Sequence, residues 1–254
     1  MNRTVIAALA AAGIGMGLAG AAAADPTATV SGGYTQIKAS NLGGVKFDDW
    51  GIGGAVQAPV APHWNLQGDA AYDTLNATGV SGHSATVSGA AFWAGAHGRL
   101  GATLGYNEFG ASGSAAHFTT YGAFGVFYAG ERLTLGVKGG GLSGSGISSA
   151  YGGGEIIGYA TPNVAISGTI DSLNDNHLSF TSYGARAEVL PAPATPISLF
   201  GGYTYQSIGP IHFNIYSVGL KLYFGGPKDA TLVERHRTGV ETWGTARPNL
   251  KLLF

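Results

Sequence analysis

The chain has 254 residues with 44 glycines, no cysteine, and 13 Lys plus Arg against 14 Asp plus Glu. The missing cysteines exclude a disulfide framework, and the balanced charge predicts no electrostatic grip on nucleic acid. Only 11% of residues are charged, against roughly 25% in ordinary soluble domains, a deficit that fits a chain with much of its surface covered by lipid.

Asn2 and Arg3 give the start a short positive end, and Val5 to Ala21 is an apolar stretch built largely of Ala, Gly, Ile and Leu. Ala22 and Ala24 supply the small residues of a signal-peptidase site, so 1–24 is expected to be a signal peptide and the exported chain to start at Asp25. Asp25-Pro26 breaks a helix at that point, which argues against a retained anchor. No later run reaches the roughly 20 apolar residues of a spanning helix, so any membrane span must be made of strands of about 9–11 residues.

Strands are expected near 27–38, 49–58, 64–74, 86–97, 99–108, 115–128, 132–141, 147–160, 163–173, 179–190, 197–206 and 212–224. That makes about twelve, or ten if the weak segments 27–38 and 147–160 merge or shift. Period-two alternation carries the reading: Trp50, Ile52, Gly54, Val56 and Ala58; Trp64, Leu66, Gly68, Ala70 and Tyr72; Leu100, Ala102, Leu104 and Tyr106. Between the residues of the second row lie Asn65, Gln67, Asp69, Ala71 and Asp73, which suit a wet lumen and not lipid. Short turns (61–63, 98, 129–131, 161–162, 191–196) alternate with Gly/Ser/Asn-rich segments (39–48, 76–84, 107–114, 141–146, 171–177). The first set suits the periplasmic rim of a barrel and the second its outer rim.

Aromatics such as Trp50, Trp64, Tyr72, Trp93, Tyr106, Tyr128, Tyr203, Tyr205 and Phe224 fall mostly near strand ends, the place for rings between headgroup and acyl chain. A soluble β-sandwich of the same strands would need a second sheet to cover the outward row. The expected fold is therefore all-β, a transmembrane antiparallel up-and-down barrel over 25–224. An even strand count returns both termini to the periplasm and closes the sheet, so that every backbone group in lipid is paired.

In the last strand Tyr216, Val218, Leu220, Leu222 and Phe224 are apolar, alternating with Ser217, Gly219, Lys221 and Tyr223. This nonapeptide resembles the terminal strand signal by which outer-membrane barrels are recognised for assembly. With the signal peptide and the hairpin pattern, the chain resembles the porin-like outer-membrane β-barrel proteins of Gram-negative bacteria over 25–224. The resemblance implies an outer-membrane location among outer-membrane lipids and a partner in the barrel assembly machinery. It departs in one respect: residues 225–254 follow the terminal Phe224. Gly225-Gly-Pro227 stops the strand, and Glu234-Arg-His-Arg237 cannot sit in lipid, so this tail is expected in the periplasm. It is read either as a loosely docked extension or as a plug or a contact with the cell wall or a periplasmic partner.

Little points to catalysis. Gly139-Gly-Gly141-Leu-Ser-Gly144 matches a dinucleotide fingerprint in letters but has no strand-to-helix context, and no nucleophile elbow, zinc helix or Walker loop occurs. His83, His117, His177 and His212 fall at the expected outer rim, where loop histidines are normally solvated; no metal or cofactor is assigned. A barrel phospholipase would carry Ser and His together on an outward row, and none of the rows read here does. The chain is not expected to be an enzyme.

By parity the lumen row contains Asp49, Gln57, Gln67, Asp69, Asp73, Arg99, Thr103, Thr119, Thr134, Lys138, Glu155, Ser167, Thr169, Arg186, Glu188, Thr204 and Lys221. The pore-lining candidates are its charged members Asp69, Asp73, Arg99, Lys138, Glu155, Arg186, Glu188 and Lys221. Eight strands make an interior that side chains fill and sixteen leave an aqueous channel. Twelve strands with a small-residue wall therefore predict a narrow pore, and charges of both signs predict weak ion preference. The expected function is a passive channel for ions or small hydrophilic solutes. Its alternative is a non-conducting structural or interaction barrel whose charges close the lumen.

Overall fold

The computed structural model describes residues 26–40, 45–77, 80–111, 114–174 and 179–240. The expected signal peptide lies outside them. Twelve strands form: β1 (Thr27–Ala39), β2 (Lys46–Ala61), β3 (Trp64–Ala77), β4 (Val80–Gly95), β5 (Gly98–Ala111), β6 (Ser114–Tyr128), β7 (Leu133–Gly144), β8 (Ile147–Thr161), β9 (Val164–Asn174), β10 (Ser179–Val189), β11 (Ile197–Ile208) and β12 (Ile211–Phe224). Each pairs antiparallel with its sequence neighbours, and β12 pairs with β1, from Ala28 opposite Phe224 to Ala39 opposite Phe213, so the barrel is closed. Closure leaves no edge strand whose N–H and C=O groups would face hydrocarbon. At the end of β12, Gly225 and Gly226 both adopt φ of +74°, a left-handed conformation that halts the strand.

Thr27 and Phe224 mark one rim, here the terminal rim; the opposite end is the distal rim. The turns expected as short all lie at the terminal rim. The segments expected as outer loops are mostly strand: β3 runs on to Ala77 and β4 starts at Val80, while β7 and β8 are joined across Ser145-Gly146, whose φ values of 46° and 81° suit a tight hairpin. The strands were read too short because the outward row turns polar at this level, through Lys38, Asp48, Asn76, Ser81, His83, Glu108 and His117. With both rows partly small or polar, alternation in hydropathy fades although the pairing continues.

Below that level the outward row is apolar. Ile52, Leu66, Leu100, Leu104, Val137, Ile156, Ile166, Leu199, Val218 and Leu220 are all exposed. Two aromatic girdles bound this belt: Trp64, Trp93, Phe127 and Phe224 towards the terminal rim, and Trp50, Tyr106, Tyr121, Tyr183, Tyr203 and Tyr216 towards the distal one. Trp64 and Tyr72, on a strand rising about 3.3 Å per residue and tilted about 40°, are separated by about 20 Å along the barrel axis, close to the height of an outer-membrane apolar band. Tyr128, expected in a girdle, instead points inward and is buried among Ala90, Phe92, Phe124 and Val126.

The interior is layered. At the distal mouth Phe118, Leu142, Leu173 and Phe180 form one buried cluster and Ile37, Ala39 and Phe213 another, with Ile208 packed against both. The middle is polar. At the terminal rim Tyr159, Ala165, Leu190 and Tyr223 pack around Leu232 of a helix that follows β12.

Candidate functional site: the lumen and its terminal helix

The polar middle of the barrel encloses a cavity of about 520 Å³. Of the eight charged candidates, Asp73, Lys138, Glu155, Arg186, Glu188 and Lys221 line it, and Asp69 and Arg99 do not. Asp69 is buried in the wall and accepts the Ser88 hydroxyl at 2.7 Å. Arg99 lies beside the terminal rim and is committed to the tail. Gln57, Gln67, Thr103, Thr134 and Ser167 are buried on the inward row, and Thr169 and Thr204 line the cavity. Thr119 is a correction: it faces outward and Thr120 takes the inward place, fully buried. The inward row of β6 is Phe118, Thr120, Gly122, Phe124, Val126 and Tyr128, too aromatic to be read from sequence as a lumen wall.

Glycines set the geometry of the charges. Lys138 on β7 and Asp171 on β9 form an ion pair of 2.9 Å across β8, where Gly153 stands opposite both. A Cβ on Gly153 would lie 2.2 Å from Asp171 Oδ1. Asp73, which accepts the Ser84 hydroxyl at 3.2 Å, occupies the space over Gly51 in the same way. Phe200 lies across Gly219 of β12 and reaches Gly33 of β1, covering the closing seam from inside. The Arg186 guanidinium stacks 4.0 Å from the Phe200 ring and donates to Glu188 Oε2 at 3.2 Å. Gly139 to Gly141, which match a nucleotide fingerprint in letters, are β7 residues; the missing side chain of Gly140 admits the Tyr151 hydroxyl and that of Gly141 the Tyr121 ring.

The tail is not a loose extension over 225–240. Residues Leu232–Thr238 form helix α1. Its N-terminus is closed by a capping box in which Glu234 N–H donates to Thr231 Oγ1 at 3.3 Å and Thr231 N–H to Glu234 Oε2 at 2.7 Å; that N–H holds the Glu234 carboxyl below its usual range. Leu232 is fully buried, and its N–H donates to Asn163 Oδ1 at 3.3 Å. Arg99 donates to the carbonyls of Arg237 and, at 3.0 Å, Gly239. Arg237 donates to the carbonyls of Gly130 at 2.8 Å, in the β6–β7 connection, and of Leu133 at 3.2 Å, at the start of β7, with its guanidinium over the Tyr128 ring. Arg235 is buried and spans carbonyls of Ala230, Pro193 and Lys228.

His236 faces the cavity. Tyr159 Oη lies 3.2 Å from its Nδ1 and Tyr223 Oη 3.3 Å from its Nε2. Tyr223 itself donates to Glu188 Oε1 at 2.6 Å, and Ser198 does so at 2.5 Å. A neutral ring with its proton on Nε2 satisfies this chain. Burial holds the imidazole below its ordinary value, opposed by Glu188. Arg235, His236 and Arg237 of the charged run expected in the periplasm thus face backbone carbonyls and the Glu188 carboxylate at the barrel end. The pattern Thr231-x-x-Glu234 was the sequence signal for this helix. Asp171 falls inside the strand expected over 163–173 and keeps the inward parity of Ser167 and Thr169, but it also opens the segment 171–177 assigned to the outer rim, which kept it out of the expected lumen row.

On the outer wall His83 and His117 flank Glu108 at 3.5 and 3.7 Å, and each stacks on a tyrosine, Tyr72 and Tyr106. His212 stacks likewise on Tyr205. His177 lies outside the described residues. Ser81 and His83 do share the outward row of β4, contrary to the expectation that no such row carries both; no hydrogen bond joins their side chains. Among the described residues no group of His, Asp and Glu is arranged to hold a metal ion.

A closed, even-stranded barrel with an apolar belt between two aromatic girdles defines a membrane-spanning barrel of the outer-membrane type. Comparison with solved structures agrees on the fold. The chain is similar to an outer membrane channel from Pseudomonas putida F1 at 12% identity and a TM-score of 0.59, over 81% of this chain and 98% of that one. It is also similar to the β domain of the Bordetella autotransporter BrkA, at 14% identity and 0.51 over 78% and 98%, and to the CymD monoaromatic hydrocarbon channel, at 8% identity and 0.51 over 79% and 89%. No protein-family model and no curated protein matches the sequence.

Proposed function

We propose that the protein is an outer-membrane channel for small solutes, with both termini in the periplasm and helix α1 closing that end of the lumen. The observation that carries this reading is the cavity of about 520 Å³ inside the closed wall, a size suited to a small molecule. Its lining of Lys138, Arg186 and Lys221 with Asp73, Glu155, Asp171 and Glu188 accepts polar groups of either sign and supports weak charge preference. Two of the similar structures are channels, which supports the same reading. The outward alternation of Tyr216, Val218, Leu220, Leu222 and Phe224 suits recognition by the barrel assembly machinery.

Planar-bilayer recordings test the proposal. The refolded full chain is expected to be closed for most of the time, and the chain lacking 225–254 to show frequent openings. Silence of both proteins, with folding confirmed by circular dichroism, would remove the channel reading. Apolar packing at the distal mouth and the docking of α1 at the terminal rim favour a second reading, a non-conducting barrel of the envelope. In that reading residues after 240 contact the cell wall or a periplasmic partner, and deleting them would release the protein from the wall fraction.

A further inference from the structure

The distal mouth differs in chemistry from the chamber behind it. Ile37, Phe118, Leu142, Leu173, Phe180 and Phe213 point inward from six strands and are between 0% and 6% exposed. Inward side chains at the mouth of a water-filled barrel would be wet. These are dry because they pack in two clusters, Phe118, Leu142, Leu173 and Phe180 in one and Ile37 and Phe213 in the other, with Ile208 bridging them.

Within the channel reading, we propose that this cluster is the selectivity element, and that the barrel takes small amphipathic solutes: an aromatic or short alkyl body with one polar head. An apolar body replaces the contacts that the mouth side chains lose when they part. A hydrated ion replaces none of them and crosses only in the intervals when these side chains part, so that its passage is slower than that of an apolar body but not barred. Behind the mouth, Arg186, stacked on Phe200, presents a cation, with Thr169 and Thr204 on the same wall. The order from the distal rim inward is therefore apolar gate, polar chamber, helical plug.

The absence of cysteine allows a clean test with the full-length protein in lipid nanodiscs. A single thiol is placed in the chamber by Ser167→Cys, and a reference thiol on the exposed distal wall by Ser148→Cys. Rates of modification by benzyl methanethiosulfonate and by its trimethylammonium-ethyl analogue are measured on each and normalised to the reference. The benzyl reagent is expected to modify the chamber thiol about tenfold or more faster than the cationic one. Adding Phe180→Ser is expected to raise the cationic rate about tenfold while leaving the benzyl rate nearly unchanged; Phe213→Thr serves if that variant does not fold.

Equal normalised rates would mean a wet mouth, overturning the apolar filter and leaving the channel reading standing. A cationic rate indifferent to Phe180→Ser and to Phe213→Thr would place entry elsewhere and overturn it as well. If neither reagent reaches the thiol in any variant, the chamber is sealed and the channel reading falls together with the filter.

Discussion

Lys138 and Asp171 meet at 2.9 Å across an intervening strand, and they do so because Gly153 between them has no side chain. The ends of this pair are partly sheltered, with side chains 19% and 16% exposed. It ties β7 to β9 directly, in addition to the ladders that each makes with β8.

Substituting Gly153→Ala is expected to break the pair, since the new Cβ would sit 2.2 Å from Asp171 Oδ1 and 2.9 Å from the Ile170 carbonyl. The loss should be about 1–2 kcal/mol, less than for a fully buried pair because water screens the chamber side. Urea unfolding of the protein in vesicles measures it. Asp171→Asn should cost a similar amount, and little further loss is expected in the double variant.

Arg99→Ala removes the donor to the carbonyls of Arg237 and Gly239, and hydrogen bonds from a charged group of this kind are worth about 1.5–3 kcal/mol each. The barrel should stay folded while the tail becomes sensitive to trypsin at Lys228, which is exposed in the connection ahead of α1. Unchanged cleavage kinetics would show that Arg99 does not latch the helix.

Docking of the tail should weaken in mild acid. The docked His236 has its pKa lowered by burial, so the undocked tail binds the proton more readily. Docking is therefore at full strength above about pH 6.5 and declines as the pH falls below it. The groups facing the ring are Tyr159, Tyr223, Glu188, Lys221 and Arg186. A nitroxide at the exposed Thr238→Cys should show a growing mobile component between about pH 7.5 and about pH 5.5. His236→Asn should flatten that dependence, and a pH-independent spectrum of the parent would contradict the expectation.

Charge on the lipid-facing wall should be costly. Val137 is 64% exposed in the apolar belt, so Val137→Lys is expected to cost about 2–4 kcal/mol in vesicles. Thr169→Lys, facing the chamber, should cost far less. Equal losses at the two positions would contradict the inside–outside assignment.

The sequence by itself determined that the chain is a barrel and which residues face which way over most of it. The physical reason is local: in a strand the side chain alternates with period two, and a lipid-facing row must be apolar wherever it meets hydrocarbon. Twelve strands, the closing strand ending at Phe224 and the inward placing of Glu188 and Lys221 all follow from that rule. The rule fails where the outward row enters water, so β3, β4 and β7 extend beyond their expected bounds, and Asp171 stands where an expected strand and an expected outer segment overlap. It fails again where the interior is apolar, as on β6, where Thr119 was chosen in place of Thr120.

What only the tertiary structure decided is how the lumen is filled. Phe118 and Phe180 come from strands distant in sequence, and nothing local says that they share a buried cluster at the mouth, with Ile208 linking it to Phe213. Arg99 and Gly239 are joined by a hydrogen bond across 140 positions of sequence, so neither segment alone discloses that the chain beyond Phe224 turns back into the barrel end. Alternation is written into neighbouring residues, whereas the packing inside the lumen depends on side chains that become neighbours only after the sheet has closed.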